Sequence, residues 1–234
     1  MELLFRDDAY LKECAATVVS VDEAGIRLDR TVFYPTGGGQ PGDTGVLVAE
    51  DGAETAIADT RKGRDLNDVV HIPADGAALP AAGARVTARI DWERRYKHMR
   101  MHGAMHVLSS LVDGEVTGGQ VGAEKSRLDF NVPSASLDKV ALTETLNRIV
   151  EEDHPFSERW ISDEELAANP GLVKTMSVKP PMGYGKVRLI EIASVDLQPC
   201  GGTHIRSTGE IGAVTVAKIE NKGRQNRRVV IRFC

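Results

Sequence analysis

The chain has 234 residues, a formal net charge of −5 and 41% hydrophobic residues, an ordinary composition for a globular protein with a sizeable core. No segment reaches the length of a membrane span, and the acidic N-terminus lacks the pattern of a signal peptide. We therefore expect a cytoplasmic protein that does not bind membranes. The three cysteines are too scattered for a disulfide framework, and Cys14 and Cys234 are interpreted as ordinary residues.

Short strands separated by turns fill the first 90 residues. Alternating apolar and polar residues mark the strands, Asp51-Gly52 is a strong signal for a hairpin with a two-residue loop, and no helical period of useful length occurs. A small β-barrel is the natural solution for such strands, because closure removes exposed edges. The predicted strands in this part are 15–21, 26–34, 46–49, 55–58 and 85–90.

Helical signals begin at Asp91, which can cap a helix that continues to the glycine-rich segment 114–122. A second helix is predicted around residues 142–150, and a short third one begins at Ser162, which forms a capping-box pattern with Glu165. Helices between strands indicate an α+β sandwich over 91–234, following the barrel over 1–90. The strands predicted in this second part are 128–132, 187–192, 213–219 and 228–233.

The charge is distributed unevenly between these two parts. Residues 1–90 hold 9 Lys and Arg against 15 Asp and Glu, whereas residues 91–234 hold 20 against 19. The overall negative charge argues against a protein that coats nucleic acid without selectivity. A polyanionic partner is therefore expected to dock on the second part, whose end is rich in Lys and Arg.

Two histidines on the first helix form the strongest chemical signal. His102 and His106 lie four residues apart, so both imidazoles share one helix face, with Cβ atoms about 6 Å apart, and can reach one metal ion. Residues 200–204 run from Cys200 to His204 and include two adjacent glycines, which predict a tight loop rather than a helix. Three imidazoles and one sulfur suit Zn²⁺, so the sequence predicts a zinc site drawn from these donors.

The role of the metal stays open at this point. Four protein donors usually close a structural zinc site, whereas a catalytic site keeps one position free. A zinc peptidase is excluded, because the common class places a glutamate directly after the first histidine, where this chain has Gly103. His98, one turn before His102, is a candidate supporting group, whereas His71 and His154 are predicted to be ordinary surface residues.

A glycine-rich loop is the second signal. Gly37, Gly38 and Gly39 let the backbone approach a ligand and expose its N–H groups, and Thr36 and Gln40 flank them with hydrogen-bonding side chains. A flexible turn between two strands explains the same residues equally well. The loop is not a nucleotide-binding P-loop, since the required Gly-Lys-Ser/Thr ending is missing.

A basic turn between the last two predicted strands is the third signal. Such a turn is typical of a phosphate contact surface, and equally of a solvated hairpin tip. Its candidate phosphate contacts are Lys222, Arg224, Arg227 and Arg228.

In their order along the chain, these motifs resemble the AlaX family, the free-standing relatives of the editing domain of alanyl-tRNA synthetase. The resemblance runs from about residue 30 to the end and includes the glycine-rich loop, the histidine pair, the 200–204 loop and the Lys222-Gly223-Arg224 turn. The length of the chain is similar to that of a medium-sized member of this family. The editing domain of threonyl-tRNA synthetase is similar at a greater distance. Gly103 and Met105 depart from the common synthetase form, where small or hydroxyl residues are frequent.

The resemblance implies a fold, an activity and a set of site residues. The implied fold is an N-terminal small β-barrel followed by an α+β sandwich editing domain of the threonyl/alanyl-tRNA synthetase type. The implied activity is trans-editing, the hydrolysis of the ester that joins serine, with glycine as a second candidate, to tRNA(Ala), without ATP. The implied ligands of a single Zn²⁺ per chain are His102, His106, Cys200 and His204.

The remaining roles follow from the same resemblance and from the chemistry of selection. Gln40 and Cys200 are predicted to be catalytic, and Thr36 with Gly37, Gly38 and Gly39 to shape the amino-acid pocket. A pocket that hydrogen-bonds a hydroxyl discriminates serine from alanine, because alanine would leave the polar group unpaired. The alternatives are a tRNA-binding module with a purely structural zinc and a deacylase of another aminoacyl-tRNA. The oligomeric state stays open, with a monomer favoured.

Overall fold

A computed structural model describes residues 1–65, 67–132, 137–173 and 185–234. Contacts divide the chain into two compact units, Met1–Tyr96 and Lys97–Cys234, each of which is described by itself. The predicted functional domains, 1–90 and 91–234, stay a prediction. None of the helices in the described ranges is long and apolar enough to cross a bilayer.

The first unit contains eight short strands. Six of them close into a barrel in the order β2-β3-β7-β6-β5-β8, and β1 pairs with β4 outside it. The predicted small barrel is therefore confirmed. The strands of this unit are β1 (Glu2–Leu3), β2 (Glu13–Asp22), β3 (Gly25–Leu28), β4 (Arg30–Thr31), β5 (Gly45–Ala49), β6 (Glu54–Lys62), β7 (Val69–Pro73) and β8 (Arg85–Ile90).

Alternating residues of the barrel strands build its core. Along β8, Val86, Ala88 and Ile90 are buried and pack with Leu28 and Leu47 from neighbouring strands. The periodicity predicts strands over 15–21 and 85–90, and the structure places β2 and β8 there. The inward apolar positions thus explain why the barrel closes.

Two local predictions in the barrel differ from the structure. The Asp51-Gly52 hairpin is present, but its loop has three residues between Ala49 and Ala53, because Gly52 adopts a left-handed conformation with φ of 86° at the third position. The strand predicted over 26–34 is split into β3 and β4. The Asp29 carboxylate accepts the backbone N–H groups of Thr17 and Arg30, both at 2.8 Å, and so interrupts the ladder.

The second unit combines helices with two antiparallel sheets, in the orders β14-β15-β10-β9 and β11-β12-β13. The predicted α+β class is therefore confirmed. Its elements, with the helix that leads into it, are α1 (Trp92–Leu111), β9 (Glu115–Gln120), β10 (Lys125–Asn131), α2 (Lys139–Glu151), β11 (Phe156–Ile161), α3 (Asp163–Ala168), β12 (Val187–Ile192), β13 (Asp196–Pro199), β14 (Val214–Asn221) and β15 (Asn226–Phe233).

The helix ends follow from their capping residues. Asp91 accepts the backbone N–H of Arg94 at 3.1 Å, which fixes the start of α1 at the predicted place. Ser162 and Glu165 form the reciprocal capping box predicted for α3. The amide of Asn147 on α2 donates to the Val214 carbonyl at 2.7 Å and accepts its N–H at 3.0 Å, so the helix is fastened to β14.

Several strands carry no clear signal in the sequence, each for a physical reason. β9 lies in the glycine-rich segment, which the sequence predicts only as the end of the helix. Gly118 and Gly119 weaken the strand signal there. In the structure Leu128 packs closely on Gly119, where a side chain would leave little room. β11 exposes most of its residues at the sheet edge, so no alternation marks it. β7 buries three consecutive residues, so no alternation marks it, and β13 has only four residues.

The prediction that His71 is an ordinary surface residue is wrong, because its side chain is completely buried in the first unit. Its Nδ1 lies 3.0 Å from the Ile26 carbonyl, and its Nε2 lies 2.8 Å from Thr31 Oγ1, which in turn accepts the N–H of Phe33. A ring that donates from Nδ1 and accepts at Nε2 is satisfied in its neutral form. Burial accordingly lowers the pKa of His71 from 6.5 to about 4.

This buried imidazole predicts a loss of stability in mild acid. Because the pKa of His71 is lower in the folded protein than in the unfolded chain, the unfolded chain binds the proton more tightly. The contribution of neutral His71 to the free energy of unfolding is therefore complete above pH 6.5. It is lost as the pH drops towards 4, and the loss amounts to about 3 kcal/mol. Urea unfolding at pH 7.5 and 5.0 measures it. His71→Gln should reduce this pH dependence and the His154→Gln control should keep it; equal pH dependence in all three proteins would contradict the assignment.

Candidate functional site

Helix α1 presents two of the predicted metal donors. The rings of His102 and His106 are buried, with centroids 5.2 Å apart. Between them, a Cβ on Gly103 would lie only 2.9 Å from Cδ1 of Ile205 and 3.2 Å from Cζ of Phe156. The absence of a side chain at Gly103 therefore lets α1 approach Ile205, the residue that follows His204.

The other two donors lie on the loop after β13, held by a buried arginine. Arg188 on β12 donates from one guanidinium nitrogen to the carbonyls of Cys200 at 3.2 Å and Gly202 at 2.8 Å, and its own carbonyl accepts the N–H of Cys200 at 3.2 Å. Glu158 on β11 pairs with the rest of the guanidinium. These bonds hold the tight 200–204 loop with Cys200 and His204 turned to the same point.

His102, His106, Cys200 and His204 form a single cluster in the described part of the chain. Their four donor atoms all lie within 4.8 Å of one another. Cys200 Sγ is 3.5 Å from Nε2 of His102, and Nε2 of His204 is 3.2 Å from Nε2 of His106. Tetrahedral ligands at ordinary zinc bond lengths lie about 3.3 to 3.7 Å apart. The donor set therefore fits a divalent metal ion that accepts nitrogen and sulfur, and the structure brings together all four residues that the sequence suggested.

The protonation of the cluster suits a metal ion. Burial opposes ionisation of Cys200, but the neighbouring imidazoles of His102, His204 and His106 hold the pKa of its thiol well below the ordinary value. Burial lowers the pKa of His204 to about 3. Burial would also lower the pKa of His106, but Asp196 and Cys200 raise it to about 9, so a metal ion must displace that proton.

Two polar side chains behind His106 carry no signal in the sequence. Asp196 and Gln198 lie on β13, buried, with Asp196 Oδ2 3.2 Å and Gln198 Nε2 2.9 Å from Nδ1 of His106. No spacing rule connects them to a histidine so much earlier in the chain, since Asp196 and His106 are 90 residues apart. The supporting group that the sequence suggested instead, His98, is buried on α1.

The glycine-rich loop belongs to the first unit. Gly37 and Gln40 exchange two backbone hydrogen bonds of 3.0 and 2.9 Å, and Gly38 and Gly39, with φ of 58° and 83°, occupy the centre of the turn. Only glycine adopts two such angles in succession without strain, which explains the sequence here. Thr36 Oγ1 accepts the N–H of Gly42 at 2.8 Å, so its hydroxyl proton remains available as a donor.

The two ends of this loop are anchored by buried groups. Asp43 is buried and accepts the N–H of Tyr34 at 2.6 Å, and Arg95 on α1 pairs with its carboxylate. The Gln40 side chain is buried as well, whereas Thr36 and the two central glycines are exposed. A Cβ on Gly37 would lie 2.8 Å from the ammonium of Lys62, a cation beside the loop that no sequence motif marks.

The basic turn is the hairpin tip between β14 and β15, as predicted. Lys222 and Arg224 are exposed there, and Arg227 donates to the Gly223 carbonyl at 3.2 Å. Arg228 differs, because Nε and one terminal nitrogen of its guanidinium bond Asp129 on β10 at 2.7 and 2.9 Å. The structure thus presents Arg224 to solvent, places the exposed Lys222 ammonium 3.6 Å from the Glu220 carboxylate, and gives Arg228 a partner on β10.

This chain is similar to known proteins over nearly all of its length. A family model described as Threonyl and Alanyl tRNA synthetase second additional domain matches residues 187–230, and one described as tRNA synthetases class II (A) matches residues 6–94. Alanyl-tRNA editing protein AlaX-M of Methanosarcina acetivorans is 42% identical, over 97% of this chain and 97% of that relative. AlaX-L of Pyrococcus horikoshii is 34% identical, over 98% of this chain and 57% of its own length. An alanine–tRNA ligase of Pyrobaculum neutrophilum is 38% identical, over 93% of this chain and 25% of the ligase.

Proposed function

This chain belongs to the AlaX family of alanyl-tRNA editing proteins, and we propose that it hydrolyses the ester that joins a wrongly attached serine to tRNA(Ala). The observation that carries the proposal is the buried cluster of His102, His106, Cys200 and His204, built into a fold whose relatives are named for editing. Hydrolysis of an ester needs no ATP, and the substrate is tRNA charged by a separate synthetase. Glycine is a second candidate amino acid.

Zn²⁺ is the metal that we propose for the cluster, because three imidazoles and a thiolate are typical zinc ligands. When bound, zinc supplies Lewis acidity that can orient the substrate, polarise its ester carbonyl or lower the pKa of water. His102, His106 and His204 would hold the ion through ring nitrogens. Cys200, exposed more than its partners, is the donor best placed to yield its position or to contact the substrate. Cys200 and Gln40 are the catalytic residues in this proposal.

Selection of serine over alanine requires a group that bonds the serine hydroxyl. We assign this role to Thr36, whose hydroxyl retains its proton for donation, with Gly37, Gly38 and Gly39 lining the same pocket. Serine bound in this pocket forms a hydrogen bond with the Thr36 hydroxyl, whereas alanine leaves that hydroxyl without a partner. The pocket therefore favours hydrolysis of the wrongly attached serine.

The Thr36→Val variant should lose much of the preference for serine, because valine keeps the shape and removes the hydroxyl. We expect the ratio of serine to glycine release from tRNA(Ala) to fall by roughly tenfold, the equivalent of one net hydrogen bond. Rates of release from Ser-tRNA(Ala) and Gly-tRNA(Ala) measure this ratio. Thr17→Val, at a half-buried position on β2, is a matched control; an unchanged ratio in Thr36→Val would remove Thr36 from the pocket.

For the tRNA itself we propose the hairpin tip as a contact surface. Lys222, Arg224 and Arg227 would meet phosphates, since exposed cations at a turn contact the backbone without reading sequence. Arg228 contributes less in this proposal, because its guanidinium already bonds Asp129 on β10 through two nitrogens.

The four-donor count favours one other function, a tRNA-binding module whose metal is purely structural. Chelation separates the two. A hydrolase stops releasing serine when zinc is removed and recovers when zinc is returned, while its second unit stays folded. A binding module releases no serine in either state, and unfolds when its metal is removed. Including a Thr-tRNA in the same assay tests deacylation of another aminoacyl-tRNA.

A further inference from the structure

Strand β13 presents a pair of polar side chains to the metal donor His106. Asp196 is 7% exposed and Gln198 8% exposed, so neither serves the solvent-facing surface. Both contact Nδ1 of His106, and the Gln198 amide nitrogen also donates to Asp196 Oδ2. The three groups form a buried triangle on the side of the ring opposite to the metal donors.

The hydrogen-bonding rules assign a direction to this triangle. Asp196 carries a carboxylate, which only accepts, and the Gln198 amide nitrogen only donates. Because Nε2 of His106 faces the other metal donors, a metal-bound ring carries its proton on Nδ1. Of the two groups beside Nδ1, only the Asp196 carboxylate can accept that proton, and the Gln198 amide nitrogen donates to the same carboxylate. With its proton on Nδ1, the ring has its lone pair on Nε2, and Nε2 is the atom that faces His204 Nε2 at 3.2 Å.

We infer that Asp196 and Gln198 are positioning residues that fix the tautomer and orientation of His106 for zinc, with Gln198 holding the Asp196 carboxylate in place. Asp196 accepts from Nδ1–H and so raises the donor strength of Nε2 towards the metal, as carboxylates do behind zinc-bound histidines. This inference rests on the proposed zinc site, and it does not depend on which amino acid is removed.

Local chain geometry explains how this pair reaches His106. Residues 196 and 198 point to the same face of β13, as alternate residues of a strand do, and that face meets α1. The loop with Cys200 begins directly after β13, so the same strand carries the support of one donor and delivers another. A shift of β13 would therefore disturb His106 and Cys200 together.

The test measures zinc affinity by competition with a fluorescent chelator at pH 7.5. We expect Asp196→Ala to weaken zinc binding by about 10- to 100-fold, Asp196→Asn to weaken it less because an acceptor oxygen remains, and Gln198→Met to lie between wild type and Asp196→Ala. Asp129→Ala is the matched control: Asp129 is similarly buried in the same unit and pairs with Arg127 and Arg228, so its loss should change zinc affinity by less than about twofold.

A second readout keeps the inference testable if Asp196→Ala does not fold. In zinc-loaded wild-type protein, nitrogen-15 NMR should find the His106 ring proton on Nδ1, slow to exchange with solvent, and in Asp196→Asn it should exchange faster. Zinc affinity of Asp196→Ala within about twofold of wild type, or a rapidly exchanging Nδ1 proton in wild type, would overturn the inference while leaving the proposed hydrolase intact. A wild-type protein that binds no zinc would overturn both.

Discussion

Replacing Cys200 with Ala is expected to leave a folded protein that binds zinc at least about 100-fold more weakly and no longer deacylates tRNA. Losing a direct ligand should cost more than the 10- to 100-fold attributed to groups behind a ligand. The fold should survive, because Arg188 still bonds the backbone carbonyls of Cys200 and Gly202, and buried apolar side chains such as Leu189 and Ile231 hold the unit together. Zinc content, the melting curve and serine release from Ser-tRNA(Ala) are the three measurements.

The other two cysteines are the controls for this variant. Cys14 lies half-buried on β2 and Cys234 is exposed at the end of the chain, and neither belongs to the cluster. Ala at either position should keep zinc and activity. If Cys200→Ala instead unfolds the second unit, the metal is structural and the binding-module function is favoured; if it keeps full activity, Cys200 has no part in the site.

Breaking the buried ion pair between Arg95 and Asp43 is expected to destabilise the first unit by about 3 to 5 kcal/mol, the usual cost of leaving a buried charge without its partner. Arg95 is completely buried and Asp43 is 1% exposed. Arg95 also donates to the carbonyls of Ala9 at 2.9 Å and Val32 at 2.7 Å. Arg95→Met therefore strands three acceptors at once, and the glycine-rich loop loses its anchor at Asp43.

Urea unfolding of Arg95→Met, Asp43→Leu and the double variant measures this effect. The double variant should be less destabilised than the sum of the two single variants, since no buried charge is left alone. The exposed pair of Arg89 and Glu54, 3.5 Å apart in the same unit, is the control, and Glu54→Ala should change stability by less than about 1 kcal/mol. A loss below about 1 kcal/mol for Arg95→Met would show that the pair does not anchor the loop.

The amino-acid sequence is sufficient where a rule links residue type to spacing. The spacing of His102 and His106 on a helix, and the adjacent glycines between Cys200 and His204, identify the four donors without knowledge of the fold. The barrel is predictable because inward residues alternate along its strands. Asp91 and Ser162 mark helix starts, and the structure confirms both.

What the sequence cannot provide depends on contacts between distant segments. His71 resembles a surface residue in the sequence because burial is a property of the closed barrel, where Thr31 and Ile26 satisfy its ring. Asp196 and Gln198 carry no periodic signal, and their meaning follows only from their contact with α1. Arg228 fits a phosphate surface by its position in the turn, and only the fold reveals its partner on β10.

The most direct test of the proposed function compares the rates at which zinc-loaded protein releases serine and alanine from the same tRNA(Ala). We predict rapid release of serine and a rate for alanine at least about 100-fold lower, because a site that bonds the serine hydroxyl rejects the side chain that lacks it. Equal rates for the two amino acids, or no release of serine above the spontaneous rate with zinc bound, would contradict the proposed function.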